Sequence, residues 1–345
     1  MSPPFAPRAG ARPPVRLNLN ESAYPPLPSV ADVLREGVVS ANRYPDFLPD
    51  ATRVVIADRL GVPAELITVG AGATGIALSA LQMCARRAAS RGTATPAMVT
   101  ATPTFDGYPI LAAMVGMRMD AVALGDDGRV DLDDLFATVT PDTVAVVVCS
   151  PHNPTGSVVD EEDLHEFIEA LPTGVLTILD EAYVEFCARP PDLHRLAAHD
   201  DVLVLRTFSK AHGLAALRAG YGIGSPSVAA AMRRHEVPFA LGSAAIAAIP
   251  VALDAEQQLA QRVHSMRQER ARMVELLDAI GCRSLPSQAN FLFLPGADGI
   301  AIGRLLGSCG VATKECAGRG TRITVGDRAS TDYVVQSLRL TALTA

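Results

Sequence analysis

Four short runs of consecutive apolar residues, at positions 143–149, 175–179, 202–205 and 219–223, restrict what this chain can become. They are rich in Val, Leu and Ile and do not alternate with polar residues, as expected of strands covered on both faces. Residues 160–171, between the first two runs, read as a helix with acids at its start to suit the helix dipole. This β-α-β-α rhythm predicts an α/β fold with a mostly parallel central sheet flanked by helices. Open sheets of this kind bind ligands outside the carboxyl ends of their strands, so the residues directly after each run are where chemistry is expected.

The rhythm changes near residue 240. An apolar, alanine-rich stretch at 238–253 precedes a long amphipathic helix at about 255–280, short strand-like pieces at 289–294 and 322–325, and a last helix from Thr331. The expected organisation is a proline-rich N-terminal arm over 1–35, a large domain over 36–240 and a smaller α+β domain over 241–345. With 49% hydrophobic residues the chain can fill two cores. Its uncharged stretches at 66–85 and 237–253 are interrupted by a glycine turn and by prolines, so they read as buried soluble structure and not as membrane spans. The N-terminal residues lack the apolar centre of a secretory leader, which makes the cytoplasm the expected compartment. Net charge is −7 with no basic run, so a nucleic-acid partner is not expected. Six scattered cysteines without a C-x-x-C pair, and seven histidines without ligand spacing, give no reason to expect a disulfide framework or a metal.

Gly70-Ala71-Gly72-Ala73-Thr74-Gly75 spells G-x-G-x-x-G between a strand-like and a helix-like stretch, the context of a dinucleotide fingerprint. That reading needs an acid about 20 residues on for the ribose, yet no Asp or Glu occurs between Glu65 and Asp106. What remains is a turn of small residues whose backbone N–H groups converge on an anion at a helix N-terminus.

Three segments follow the apolar runs: Ser150-Pro-His-Asn153-Pro-Thr-Gly156, Leu179-Asp180-Glu-Ala-Tyr183, and Leu205-Arg-Thr-Phe-Ser209-Lys210-Ala-His-Gly213 continuing to Arg218. The chain has only two lysines, Lys210 and Lys314. A retained lysine in an arginine-rich chain points to an amine that must deprotonate, as condensation with an aldehyde cofactor requires.

Together with Asn18-Leu-Asn20-Glu21, Arg43-Tyr44-Pro45-Asp46, Thr102-Pro103-Thr104-Phe105, Ser287-Gln-Ala-Asn290 and Arg322-Ile-Thr-Val-Gly326, these segments occur in order over nearly the whole chain. The set resembles the class I/II, fold-type I, pyridoxal-phosphate-dependent aminotransferases, most of all histidinol-phosphate aminotransferase and its aromatic-aminotransferase relatives. The resemblance implies pyridoxal 5'-phosphate joined to Lys210, which also serves as the base for the substrate α-proton. It implies Asp180 at the pyridine nitrogen, Asn153 and Tyr183 at the ring oxygen, and Phe105 on the ring face. The phosphate would lie on the backbone of Ala73 and Thr74 with Ser209 and Arg218, and Tyr44 would reach it from the other subunit of a homodimer. Arg322, with Asn153, would take the substrate carboxylate, and Lys314 stands where a second arginine for a substrate phosphate is usual.

The glycine turn departs from the family's usual spelling at Ala71, Thr74 and Gly75, and residues 237–249 are more apolar than their counterparts. The expected reaction moves an amino group between an amino acid or amino-alcohol phosphate and a 2-oxo acid. An aromatic amino-acid or specialised-metabolism transaminase is the alternative. A threonine-phosphate-type decarboxylase, a DNA-binding regulator of the same fold and an NAD-dependent dehydrogenase rank below these.

Overall fold

The computed structural model describes residues 15–342. A two-residue strand, β1 (Val15–Arg16), is followed by the strands of one large sheet: β2 (Ile67–Gly70), β3 (Ala97–Thr102), β4 (Arg118–Ala123), β5 (Thr143–Cys149), β6 (Leu176–Asp180), β7 (Val202–Thr207) and β8 (Gly220–Gly224). Their order is β2-β8-β7-β6-β5-β3-β4. The neighbours from β7 to β4 pair in parallel, whereas β8 runs antiparallel to both β7 and β2. The link from β7 to β8 holds no crossover helix, so the chain returns alongside in the opposite sense.

Alternation along each strand divides the sheet's side chains between two cores. Val146 and Val148 join one, and Ala145, Val147 and Cys149 join the other. Against the first face lie α1 (Pro28–Gly37), α2 (Asp50–Leu60), α5 (Leu132–Thr138), α6 (Glu161–Ala170) and α7 (Leu193–Ala197). Against the second lie α3 (Gly72–Ser90), α4 (Gly107–Met114) and α8 (Pro226–Arg233). Helix α6 starts where its acids predict: the Asp160 side chain accepts from Glu162 N–H, and Glu161, Glu162 and Asp163 fill the first turn.

The C-terminal part contains α9 (Ser243–Asp254), α10 (Glu256–Asp278), β9 (Phe291–Pro295), α11 (Gly296–Ser308), β10 (Val311–Ala312), β11 (Lys314–Glu315), β12 (Gly320–Thr324) and α12 (Arg328–Ala342). Strands β11, β12 and β9 form an antiparallel sheet with β12 in the centre, covered by α10, α11 and α12 in a third core. Helix α9 departs from the division expected at residue 240. Its Ala245, Ala248, Ile249 and Ala252 sit in the first core of the large sheet, packed against α1 and α2. We therefore propose that the large domain extends to Ala255 and the small one starts with α10.

The proposed arm is also more embedded than its prolines imply. Residues 1–14 lie outside the described residues, but β1 pairs in parallel with β10, Leu17 is buried in the third core and Val30 of α1 in the first.

Candidate active site

Strands β5, β6 and β7 end side by side, at Cys149, Asp180 and Thr207, and the polar segments after them meet at one edge of the sheet. Strand β8 runs the other way, so its start brings Arg218 to that same edge. A cavity of about 410 Å³ opens there between the large sheet and the C-terminal sheet. Ala73, Thr74, Phe105, Asn153, Asp180, Tyr183, Ser209, Lys210, Arg218, Lys314 and Arg322 all line it.

At its base the Asp180 carboxylate is 9% exposed and accepts from the Tyr108 hydroxyl at 2.6 Å and from Ala182 N–H at 3.0 Å. Burial raises its pKa, and Tyr108, Ala182 and Lys210 oppose that rise. Lys210 Nζ donates to the carbonyls of Leu19 and Asn20, both at 3.2 Å. Burial and the nearby Arg322 and Arg218 lower its pKa to about 8, so an appreciable fraction is neutral amine near neutral pH.

The glycine turn builds the far wall. Helix α3 begins without a side-chain cap, leaving its first N–H groups directed at the cavity end. Gly72 has φ +75°, and a Cβ there would stand 2.7 Å from Arg218 Nη2. Gly220 is tighter still, since a Cβ would lie 2.6 Å from the backbone N of Ala73. These two glycines let β8, Arg218 and the start of α3 converge. Ser209 Oγ accepts from Arg218 Nη1 at 3.2 Å, which places a hydroxyl and a guanidinium beside the uncapped helix.

On the opposite side, Arg322 occupies the central strand β12 and is 8% exposed. Its Nη1 donates to Asn153 Oδ1 and its Nη2 to the Asn18 carbonyl, both at 2.6 Å, while Nε is buried without a partner. The Tyr183 hydroxyl accepts from Asn20 Nδ2 at 2.9 Å, and Asn153 Nδ2 lies 3.4 Å away. Burial pushes the Tyr183 phenol up to about 12. Phe105 meets Tyr108 edge-on, with ring centroids 5.7 Å apart. Lys314 Nζ is 2.6 Å from Asp106 Oδ2. Tyr44 is elsewhere: it is 87% exposed, with its ring 5.1 Å from Phe239.

Residue-by-residue reading of the sequence overlooked Tyr108, Asp106 and the direct contacts of Asn18 and Asn20. Tyr108 is on the first turn of α4, three residues after Phe105, and looks like ordinary core until its hydroxyl is seen on Asp180. His152 is buried, with Nε2 3.0 Å from the Pro103 carbonyl and its pKa lowered to about 4 by burial. It supports the Asn153 turn as a neutral ring.

The arrangement fits pyridoxal phosphate. An uncapped helix start with Ser209 and Arg218 suits a phosphate, and an amine of lowered pKa stands within the same cavity as a buried carboxylate. The sequence profile described as aminotransferase class I and II matches residues 12–338. An aromatic amino acid aminotransferase of Streptomyces coelicolor is 38% identical over 93% of this chain and 89% of its own. One of Thermobifida fusca is 39% identical over 90% and 86%. Among solved structures, the histidinol-phosphate aminotransferase of Sinorhizobium meliloti in complex with pyridoxal-5'-phosphate superposes with TM-score 0.86 at 28% identity, covering 98% of this chain and 94% of that one. A sequence profile that spans nearly the whole chain, over a fold and a cavity that suit the cofactor, shows that the chain belongs to the class I and II aminotransferases and is a pyridoxal-phosphate-dependent enzyme.

Proposed function

We propose that this enzyme transfers the amino group of an aromatic amino acid, with glutamate and 2-oxoglutarate as the other amino and oxo pair. The observation that carries the reading is the apolar lining that Leu19, Phe105 and Pro154 give the cavity, suited to an apolar ring. Lys314, paired with Asp106 at 2.6 Å, stands at its exposed edge. The names of the relatives at 38% and 39% identity support the same class.

When bound, the cofactor supplies an electron sink for the charge left at the substrate Cα. Lys210 then moves the α-proton, its pKa of about 8 lying close to the operating pH as a general base requires. Asp180 holds a proton on the ring nitrogen, and Asn153 and Tyr183 orient the ring through its oxygen. Phe105 covers one ring face. Ala73, Thr74, Ser209 and Arg218 bind the phosphate, with Tyr44 supplied by a second copy in a homodimer. Arg322 grips the α-carboxylate through its planar fork.

The test is single-turnover spectroscopy of the bound cofactor with phenylalanine, tyrosine, glutamate and histidinol phosphate in turn. Aromatic amino acids are expected to exceed histidinol phosphate in kcat/KM by at least about tenfold. The reverse order overturns the substrate assignment and favours the second reading, histidinol phosphate, which the likeness to the Sinorhizobium meliloti structure supports. Borohydride trapping that labels a residue other than Lys210 overturns the catalytic assignment itself.

A further inference from the structure

We propose that the cleft between the C-terminal ends of α3 and α8 is a second anion site, built by Arg86, Arg87, Arg234 and His235 for a phosphate-type dianion other than the cofactor's. The reaction assigned above uses none of these residues, and the inference does not depend on which amino acid the enzyme takes.

Two helices bring the charges together. Helix α3 starts at the glycine turn of the cofactor cavity, runs for 19 residues and carries Arg86 and Arg87 close to its end. At 1.5 Å per residue that end stands roughly 27 Å from the turn. Helix α8 ends at Arg233, and Arg234 and His235 follow it directly. The His235 carbonyl accepts from Ser79 Oγ of α3 at 3.3 Å, which ties the segment after α8 to the other helix. A cavity of about 310 Å³ lies between them, and among the described residues no Asp or Glu lines it.

Arginines at helix C-termini ordinarily offset the helix dipoles. Each such end carries roughly half a negative charge, so two ends account for about one of the three guanidinium charges. About two are left over, in a chain whose net charge is −7. Carboxylates close by are engaged elsewhere. Glu236, next in the chain, receives Arg53 Nη2 on both oxygens at 2.9 and 2.8 Å. Asp201, which like Arg87 acts on the Cys84 thiol, accepts from Gly174 N–H at 2.8 Å. Among the described residues no carboxylate pairs with Arg86, Arg87 or Arg234. His235 registers the excess: burial lowers its pKa, Arg86, Arg234 and Arg87 lower it further, and all four influences act in one direction.

Two uncompensated positive charges match one phosphate dianion, and guanidinium forks bind its oxygens in pairs. The volume is that of a small-molecule site, for which roughly 300–1,000 Å³ is usual. Met83 and Ala231 give it an apolar floor. The cleft therefore suits free phosphate or the phosphoryl group of a small ester.

The experiment uses the holoenzyme, in which the cofactor's own phosphate occupies the other end of α3. His235 is followed by NMR of its ring protons, identified as the signal missing from His235→Gln. Sulfate, a dianion throughout the titration, is expected to raise the His235 midpoint by at least about half a unit more than chloride at equal ionic strength, which measures screening alone. Arg86→Gln together with Arg234→Gln is expected to keep the parental transamination rate and to lose the sulfate-specific shift. Calorimetry with inorganic phosphate and phenyl phosphate, at a pH of about 7.5 where the phosphoryl group is mainly a dianion, separates the two sources. Tighter binding of phenyl phosphate assigns the site to an ester whose body meets Met83, and equal or weaker binding assigns it to the free ion. In both cases affinity should fall at least about tenfold in the double variant. A midpoint that moves equally in sulfate and chloride, or phosphate binding that the double variant leaves unchanged, overturns the proposal.

Discussion

Replacing Tyr108 by Phe removes one hydroxyl from the base of the site and leaves the ring's volume in place. That hydroxyl is fully buried and donates to Asp180 Oδ2 at 2.6 Å. Hydrogen bonds to charged groups are worth about 1.5–3 kcal/mol net, equivalent to roughly one to two pH units of carboxylate affinity for a proton. Burial already holds the Asp180 carboxyl above its ordinary range, and Tyr108 is the strongest influence opposing it, so the substitution raises it further. A carboxyl whose pKa is raised by folding contributes its stability at low pH and loses it as pH climbs through the folded value. The stability deficit of Tyr108→Phe in the cofactor-free protein should therefore be smallest near pH 4 and should widen toward neutrality by about 1.5–3 kcal/mol. Urea unfolding of both proteins between pH 4 and 8 measures it. In the holoenzyme the more basic Asp180 carboxylate would compete more strongly for the proton it is to hold on the ring nitrogen, and kcat should fall about tenfold or more with KM little changed. A deficit that is constant with pH, or that narrows as pH rises, refutes the coupling and leaves Tyr108 as packing alone.

Lys210→Arg keeps a positive charge but cannot deprotonate at working pH; transamination should fall at least about a thousandfold, and borohydride should no longer trap cofactor on the chain. Gly220→Ala sets a methyl group against the backbone of Ala73 and Gly72, which cannot swing aside as a side chain can. Cofactor affinity, read by fluorescence titration, should drop about tenfold or more, with a stability loss of about 1–3 kcal/mol. Tyr44→Phe should weaken cofactor binding about tenfold if its hydroxyl reaches the phosphate. In mixed dimers with Lys210→Ala subunits, the intact-lysine site should regain parental affinity, because its tyrosine then comes from the partner; affinity that stays weak refutes the shared site.

The part of this fold that was legible in the chain is the part where burial on both faces leaves no ambiguity. Strands β5, β6 and β7 read directly as apolar runs, and the residues after them are the ones that meet in the cavity. The run at 219–223 was legible as a strand but not as the antiparallel one, since direction depends on a connection and not on composition. Edge strand β4, with exposed Arg118 paired to Asp120, carries no apolar run to announce it. Helix α9 has alanines that suit either domain, and only its contacts with α1 and α2 assign it. Tyr108, and the contact that Asn20 makes, escaped notice for a related reason. Their partners Asp180 and Tyr183 are 72 and 163 residues away, and nothing in a local pattern encodes such a pairing.

The charges around Lys210 add one consequence that ties binding to catalysis. Arg322 and Arg218 depress its pKa, while Asp180 and Glu21 raise it. The two depressing neighbours are the groups assigned to anions, Arg218 to the cofactor phosphate and Arg322 to the substrate carboxylate. An anion on either one cancels a repulsion felt by Lys210, so the amine becomes a stronger base as the site fills. In the cofactor-free protein, labelling of Lys210 by an amine-reactive reagent should show a pH midpoint near 8. Saturating inorganic phosphate should move that midpoint upward by about half a unit to one unit. A midpoint that stays fixed or moves down would mean that phosphate does not sit beside Arg218, and that the glycine turn and the catalytic amine are not one electrostatic unit.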